Sequence, residues 1–326
     1  MSTPPELVPL DNNDGLAIGV DIGGTSVKLA VVDTANAKVI HETSFLTPTD
    51  GALHMAQLIG DASRELQSKF RTLNSIGVGV PGAMNADRSL VRYPPNLIGW
   101  KSEPLAEYLR VALPHFARIE VDNDAKVATL AEARFGRGKG EPNFILVTLG
   151  TGVGSGIFAE NKIFRGSSGG AGELGHISID YNGPPCACGS RGCIEVYIGQ
   201  RYFTQRVIDR LGGSNEVSKL RELDPASLDP KQIADVAQAG DTFAIKMFEE
   251  AGTLLGFAFA SVAKLLDMHT FIVTGGVAQA GEFLLAPARA SLKANVFANL
   301  KELVVIREGM LGVQAGVIGA ALLADS

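Results

Sequence analysis

Three apolar stretches that each run into a glycine-rich turn constrain this chain more than any other feature. They are GLAIGVDIGGT at 15–25, FILVTLGTGVGSGI at 144–157 and FIVTGGV at 271–277. Apolar runs of this kind favour strands, and glycine at the turn lets the backbone approach a ligand closely. After the first turn the pattern predicts strands at 27–32 and 38–45. A helix follows at 53–70, with Leu58, Ile59, Ala62 and Leu66 in helical spacing, and then a strand at 75–80 running to Pro81-Gly82. A helix at 105–111 and a strand at 118–121 complete the first half. The second half repeats the plan, with strands at 144–149, 154–159 and 162–165, helices at 194–211, 232–239 and 242–266, and a strand at 271–274. Two successive βββ-α-β units, alike in order and not in identity, predict an α/β protein of two lobes with a ligand cleft between them.

A length of 326 residues also fits two domains. With 29 Lys and Arg against 35 Asp and Glu, the net charge of -6 supplies no basic field for nucleic acid or anionic membrane, so neither is an expected partner. Residues 1–14 read as a polar, disordered tail without a signal sequence, and no apolar stretch reaches the ~18 residues of a membrane span. Three cysteines, an odd number, point to a reducing compartment and a cytoplasmic protein.

Cys186, Cys188 and Cys193 fall within eight residues, and His176 precedes them by ten. Three thiolates and an imidazole form the donor set of a closed, structural Zn²⁺ site, the alternative being buried thiols without a ligand. At the first turn, Asp21 ends a strand and Gly23, Gly24 and Thr25 can turn N–H groups toward a phosphate, or simply close a hairpin. The second turn has glycine at every other position from Gly150 to Gly156, which is neither a dinucleotide-binding fingerprint nor a Walker loop. Gly166-Ser-Ser168-Gly-Gly170 matches the hydrolase pattern G-x-S-x-G, but lacks the strand before and helix after that a nucleophile elbow needs. Asn123 and Asp124 follow a strand and open a helix between the halves. There Asp124 can cap the helix, act as a general base for an alcohol attacking phosphorus, or both. Glu173 and Glu195 flank the cysteine loop as solvated surface or as binders of a polyol. His41, His54, His115 and His269 stand without ligand spacing, and Trp100 reads as packing.

Together DIGGTSVKLAVVD, GVGVPGAMN, PPNLIGW, LGTGVGSGIFAENKIFRGSSGGAGELGH and CACGSRGCIE resemble the ROK family of bacterial sugar kinases and sugar-responsive repressors, most closely its glucokinases. The resemblance implies a two-lobed, actin-like ATPase fold of the hexokinase type. Its small lobe would hold residues 15–122 and a final helix within 313–326, and its large lobe residues 123–312 with the zinc loop. It implies ATP-dependent phosphorylation of a hexose 6-hydroxyl, with glucose first and N-acetylmannosamine, N-acetylglucosamine or fructose as rivals. The donor would be ATP, with ADP or polyphosphate as alternatives, and the assembly a homodimer or homotetramer. Asp124 would take the hydroxyl proton, while Gly82, Asn96, Asn123, Glu173, His176 and Glu195 would hold the sugar. His176 would bind zinc, with the three cysteines, through one ring nitrogen and sugar through the other. Gly23, Gly24, Thr25, Lys28, Thr151, Gly152, Gly275 and Gly276 would contact ATP, with Asp21 near Mg²⁺. A repressor would need a basic DNA-reading domain before the first lobe. About fifteen residues, acidic in balance, precede the first strand here. Lys126, Ser155 and Tyr197-Ile198-Gly199 depart from the family pattern, and bulk beside Glu195 is expected to reshape the pocket around the sugar C1 and C2.

Overall fold

A computed structural model describes residues 15–325; the tail at 1–14 lies outside them. Strands β1 (Leu16–Ile22), β2 (Ser26–Asp33) and β3 (Lys38–Leu46) form the expected antiparallel meander. Helix α1 (Ala52–Lys69) crosses over to β4 (Ser75–Val80), burying Met55, Ile59, Ser63 and Leu66, spaced three or four apart, against the sheet. Three two-residue strands, β5 (Ala83–Met84), β6 (Val91–Arg92) and β7 (Ser102–Glu103), make a small separate sheet. Helix α2 (Leu105–Ala112) leads to β8 (Arg118–Asn123), and the first sheet has the order β3-β2-β1-β4-β8, with β4 and β8 parallel to β1.

Helix α3 (Asp124–Phe135) links the halves. Strands β9 (Phe144–Leu149), β10 (Val153–Ala159) and β11 (Lys162–Phe164) form a second meander. Helices α4 (Glu195–Ile198), α5 (Gln200–Gly212), α6 (Pro230–Gln238) and α7 (Thr242–Leu266) precede β12 (Thr270–Thr274). Helix α8 (Glu282–Asn295), β13 (Val305–Glu308) and α9 (Ala315–Ala324) follow. The second sheet runs β11-β10-β9-β12-β13, strand for strand the order of the first. Each sheet has its own core. Ile18, Leu29, Met55 and Val78 are among the residues of one, and Phe203, Phe243, Phe259 and Phe271 of the other.

A third apolar layer joins the sheets, with Ala128 and Ala131 of α3 and Val317, Ile318 and Ala321 of α9 lying among Ala30, Val32, Leu146 and Ile272. Helix α9 is apolar on every side, as a helix sandwiched between layers must be. It approaches β1 and β4 so closely that a methyl at Gly19 or Gly77 would overlap the carbonyl of Val317 or Ala320.

The structure corrects several local expectations. The helix expected at 194–211 is broken at Gly199, where the chain extends and the Gln200 N–H donates to the Gly150 oxygen at 2.9 Å. Helix α8, strand β13 and the small sheet were not anticipated. The cap of α3 is Asn123, whose Oδ1 accepts the Lys126 N–H at 3.2 Å, leaving the Asp124 side chain free of that duty. No helix among the described residues is long and apolar enough to cross a membrane.

Candidate active site

The cleft lies where the first strand of each half meets the starts of the two interlayer helices. One cavity is lined by Asp21 at the end of β1, Asp124 and Ala125 at the start of α3, Thr148 of β9, Thr274 and Gly275 at the end of β12, Gly312 and Val313 before α9, and Ala315 and Gly316 at its start. A second cavity adjoins it, sharing Thr274, Gly275, Gly312 and Val313 and adding Gln279, Glu308 and Gly309.

Asp124 is held in place through one of its two carboxyl oxygens. Its Oδ1 accepts from its own helix's Ala125 N–H at 2.8 Å and from Asn123 Nδ2 at 2.9 Å, so Oδ2 remains for another partner. Asn123 Nδ2 also donates to the Gly82 oxygen at 3.1 Å, which ties the Pro81-Gly82 turn to the same helix start. Burial raises the Asp124 pKa above the ordinary carboxylate range, opposed by these hydrogen bonds and by Lys126. Beneath it, buried Asp122 accepts the Asn123 N–H at 2.8 Å and pairs with Arg165 through Nε at 3.1 Å, joining β8 to the end of β11 across the two halves.

Asp21 is the second acid of the cavity. Burial, then the charge of Asp124, pushes its pKa up to about 6, with Lys28, its register partner on β2, pulling the other way. Two carboxyls raised in this manner leave uncompensated negative charge that a divalent cation can neutralise, so the donor chemistry fits Mg²⁺. The adjoining hairpin turn is pinned from behind, because Thr47 donates its N–H to the Thr25 oxygen at 3.0 Å and its hydroxyl to the Gly23 oxygen at 2.7 Å. Gly24 and Thr25 stay exposed, and Asn96 packs over Gly24, so this expected sugar residue meets the expected phosphate turn.

Across the cleft, Glu195 Oε2 accepts the Val153 N–H at 2.9 Å and lies against Gly152. Thr151 is exposed at the tip of that turn. Gly275 has φ +102, and a Cβ there would fall 2.5 Å from the Leu149 oxygen, so this third turn is closed to other residue types. Gly276 opens the short helical turn that follows it. Crowding of protein around Glu173, itself open on one side, raises its pKa; His176 and Lys126 lower it, while Asp124 and Glu195 add to the rise, which sets all five groups in one neighbourhood.

Lys126 and Ser155, noted for departing from the family pattern, hold the loop that carries Glu173. Lys126 is 2% exposed and its Nζ donates to the Gly169 oxygen. Ser155 donates its hydroxyl to the Gly172 oxygen and accepts the Leu174 N–H at 3.0 Å. Tyr197 and Ile198 correct the expectation of a bulkier pocket. Tyr197 packs on Cys186, Cys193 and Val196 and reaches Asp180 at 3.5 Å, while Ile198 is sealed in the large core.

The Nδ1 of His176 and the three cysteine sulfurs lie within 4.8 Å of one another. Cys186 Sγ is 3.6 Å from His176 Nδ1, and Cys188 and Cys193 sulfurs are 3.6 Å apart. A tetrahedral zinc with bonds of about 2.0–2.3 Å places its donor atoms roughly 3.5–3.8 Å apart, so the set fits Zn²⁺. Nδ1 is the nitrogen turned to sulfur, which leaves Nε2 on the opposite edge of the ring. His54 and His269 instead pair with Asp50 and Asp267, and Trp100 is buried as packing.

Thr274 belongs to the expected phosphate turn Thr274-Gly275-Gly276, whereas Thr148 and the 308–316 wall were not expected at the site. A signal for Thr148 was present, since both second-half turns follow the pattern V-T before glycine and the two threonines pair in register between β9 and β12.

A ROK family domain matches residues 17–326. The chain belongs to the ROK family. This ROK protein is 37% identical over 320 residues to a glucokinase of Streptomyces coelicolor, covering 95% of this chain and 98% of that one. It superposes with a TM-score of 0.82 on a crystal structure of a ROK family glucokinase from Streptomyces griseus in complex with glucose and AMPPNP. The two are 34% identical, with 95% of this chain and 99% of that one covered. The xylose repressor of Bacillus subtilis is 23% identical, matching 97% of this ROK protein and 78% of the repressor. The family likeness agrees with the two-lobed, actin-like ATPase fold expected from the sequence.

Proposed function

We propose that this protein is an ATP-dependent sugar kinase that phosphorylates glucose on its 6-hydroxyl. The observation that carries the reading is that Asp124, with one carboxyl oxygen uncommitted, shares a single cavity with Asp21 and the Thr274-Gly275 turn. An alcohol held against Asp124 would there face a phosphate held by the opposite turns. Glucokinase relatives at 34 to 37% identity support glucose as acceptor and ATP as donor.

In this mechanism the sugar hydroxyl gives its proton to Asp124 Oδ2 as its oxygen attacks the terminal phosphorus of ATP, and the bond to ADP breaks on the far side. Asn123, engaged by Gly82, Lys126 and Asp124, orients the acid; the second Asn123 Oδ1 lone pair and the Gly82 turn border the sugar. Glu195 has Oε1 free while Val153 holds Oε2, so it accepts from a sugar hydroxyl without shifting. Glu173, Asn96 and His176 Nε2 supply the other polar contacts. Gly23, Gly24, Thr25 and Lys28 on one side, and Thr151, Gly152, Gly275 and Gly276 on the other, cradle the nucleotide, the catalytic demand being alignment and charge neutralisation. Asp21 would hold Mg²⁺, which when bound offsets phosphate charge. His176, Cys186, Cys188 and Cys193 would hold Zn²⁺, which when bound fixes the loop and the His176 ring.

A matrix of initial rates, with ATP, ADP and polyphosphate as donors and glucose, fructose, N-acetylglucosamine and N-acetylmannosamine as acceptors, tests the proposal. The highest kcat/KM is expected for ATP with glucose. Sugar binding with no phosphoryl transfer from any donor would overturn it.

A further inference from the structure

Glu132 stands two turns along α3 from Asp124, fully buried, and no cation pairs with it among the described residues. Its partners are three backbone N–H groups. Oε2 accepts from Arg137 at 2.7 Å, just past the end of its own helix, and Oε1 accepts from Met310 at 2.8 Å and Leu311 at 2.9 Å. The last two belong to the connection from β13 to α9, more than 170 residues away in sequence. That connection is a wall of the cleft beside the Thr274-Gly275 turn, with the Gly309 N–H donating to the Val273 oxygen at 2.8 Å. Glu308 and Gly309 line the outer cavity, Gly312 and Val313 line both, and Ala315 and Gly316 line the inner one beside Asp21 and Asp124.

We propose that Glu132 is a positioning residue for the nucleotide. It fixes the 308–316 wall to the same helix whose first residue is the proposed base, an inference that rests on the kinase reading for what occupies the cleft. An α-helix rises 1.5 Å per residue, so the eight residues from Asp124 to Glu132 set a rigid span of about 12 Å. One helix thereby sets the separation between the group that takes the acceptor's proton and the wall that seats the donor. Two adjacent N–H groups in a connection with no strand partner need an acceptor, and a buried carboxylate binds such donors more strongly than an amide does.

The test uses Glu132→Gln in the full chain. The amide is of the same size but offers one oxygen, so it cannot accept from both Arg137 and the Met310-Leu311 pair. The Kd for AMPPNP, measured by calorimetry without sugar, is expected to rise about tenfold, and the KM for ATP with it. KM for glucose should stay within about twofold, and the Met310 and Leu311 amides should exchange hydrogen faster. Glu132→Asp, which keeps the charge on a shorter arm, should recover part of the nucleotide affinity, and serves alone if the Gln variant does not fold. Unchanged AMPPNP affinity in the folded variant, or equal losses for nucleotide and glucose, would overturn the proposal. A wild-type protein that binds AMPPNP but transfers no phosphate would instead overturn the kinase reading and leave the Glu132 measurement valid.

Discussion

Replacing Asp124 with Asn removes a proton acceptor and little else. The Asn oxygen can keep both bonds that Oδ1 makes, to the Ala125 N–H at 2.8 Å and Asn123 Nδ2 at 2.9 Å, because both partners are donors. The new NH₂ then faces the cavity where Oδ2 stood, and an amide cannot take the proton of an attacking alcohol. General-base catalysis by a positioned side chain contributes about 10²- to 10⁴-fold, so kcat should fall by that factor, or ~2.7 to 5.4 kcal/mol of barrier. Asn123 still caps α3, so the fold should be unaffected. Removing the charge also relieves Asp21, whose pKa is held up partly by Asp124, and takes a negative charge from beside the phosphates, so affinity for ATP should hold or improve. A coupled ADP-release assay gives kcat and both KM values, and calorimetry gives the glucose Kd, expected within about threefold of wild type. Turnover within fivefold of wild type refutes the role of Asp124 as base. A loss of glucose affinity as large as the loss of kcat would make it a positioning group instead.

Asp21 should leave a mark on stability in Mg²⁺-free buffer. Its folded pKa of about 6 exceeds the ordinary 3.8, so protonation favours the folded state and its ionisation costs stability as pH rises from about 4 to about 6. Asp21→Asn should therefore match wild type in Tm below pH 4 and exceed it above pH 6, and identical profiles would refute the shift. Cys193→Ser, altering a fully buried member of the proposed zinc set, should lose stoichiometric zinc by elemental analysis and raise KM for glucose at least about tenfold, with a smaller change for ATP. Lys126→Met and Ser155→Ala each free the Glu173 loop, and both should weaken glucose binding while sparing the AMPPNP Kd. Gly19→Ala should cost about 3 kcal/mol by overpacking α9, a drop of roughly 4–5 °C in Tm by calorimetry.

Much of the frame was legible because each half announces itself locally. The strand-turn pairs around Asp21, Gly150 and Gly275 are marked by apolar runs and glycine, and the cysteine loop by spacing alone. The breaks came where tertiary contacts overrule local pattern. Gly199 ends a helix because Gln200 finds Gly150. Helix α8 carries Pro287, which reads as a stop, yet it packs against Gly252 of α7 and continues. The strands β5 to β7 are two residues each, too short for any periodicity. At the site, residue types marked His176 and the cysteines as a donor set but left Asp124 between cap and base and Glu173 between surface and polyol binder. The meeting of Asp21 with Asp124, the Asp122–Arg165 pair and the reach of Glu132 to Met310 join positions 40 to 180 residues apart, and no spacing rule reports such pairs.

The tight seat of α9 on β1 and β4 bears on how the protein is made. Ribosomes build from the amino end, so both strands are complete long before residues 315–324 leave the exit tunnel. Throughout that wait the strip of the earliest sheet at Gly19 and Gly77 lacks the helix that covers it. That strip is covered only once the ten residues of α9 have been made.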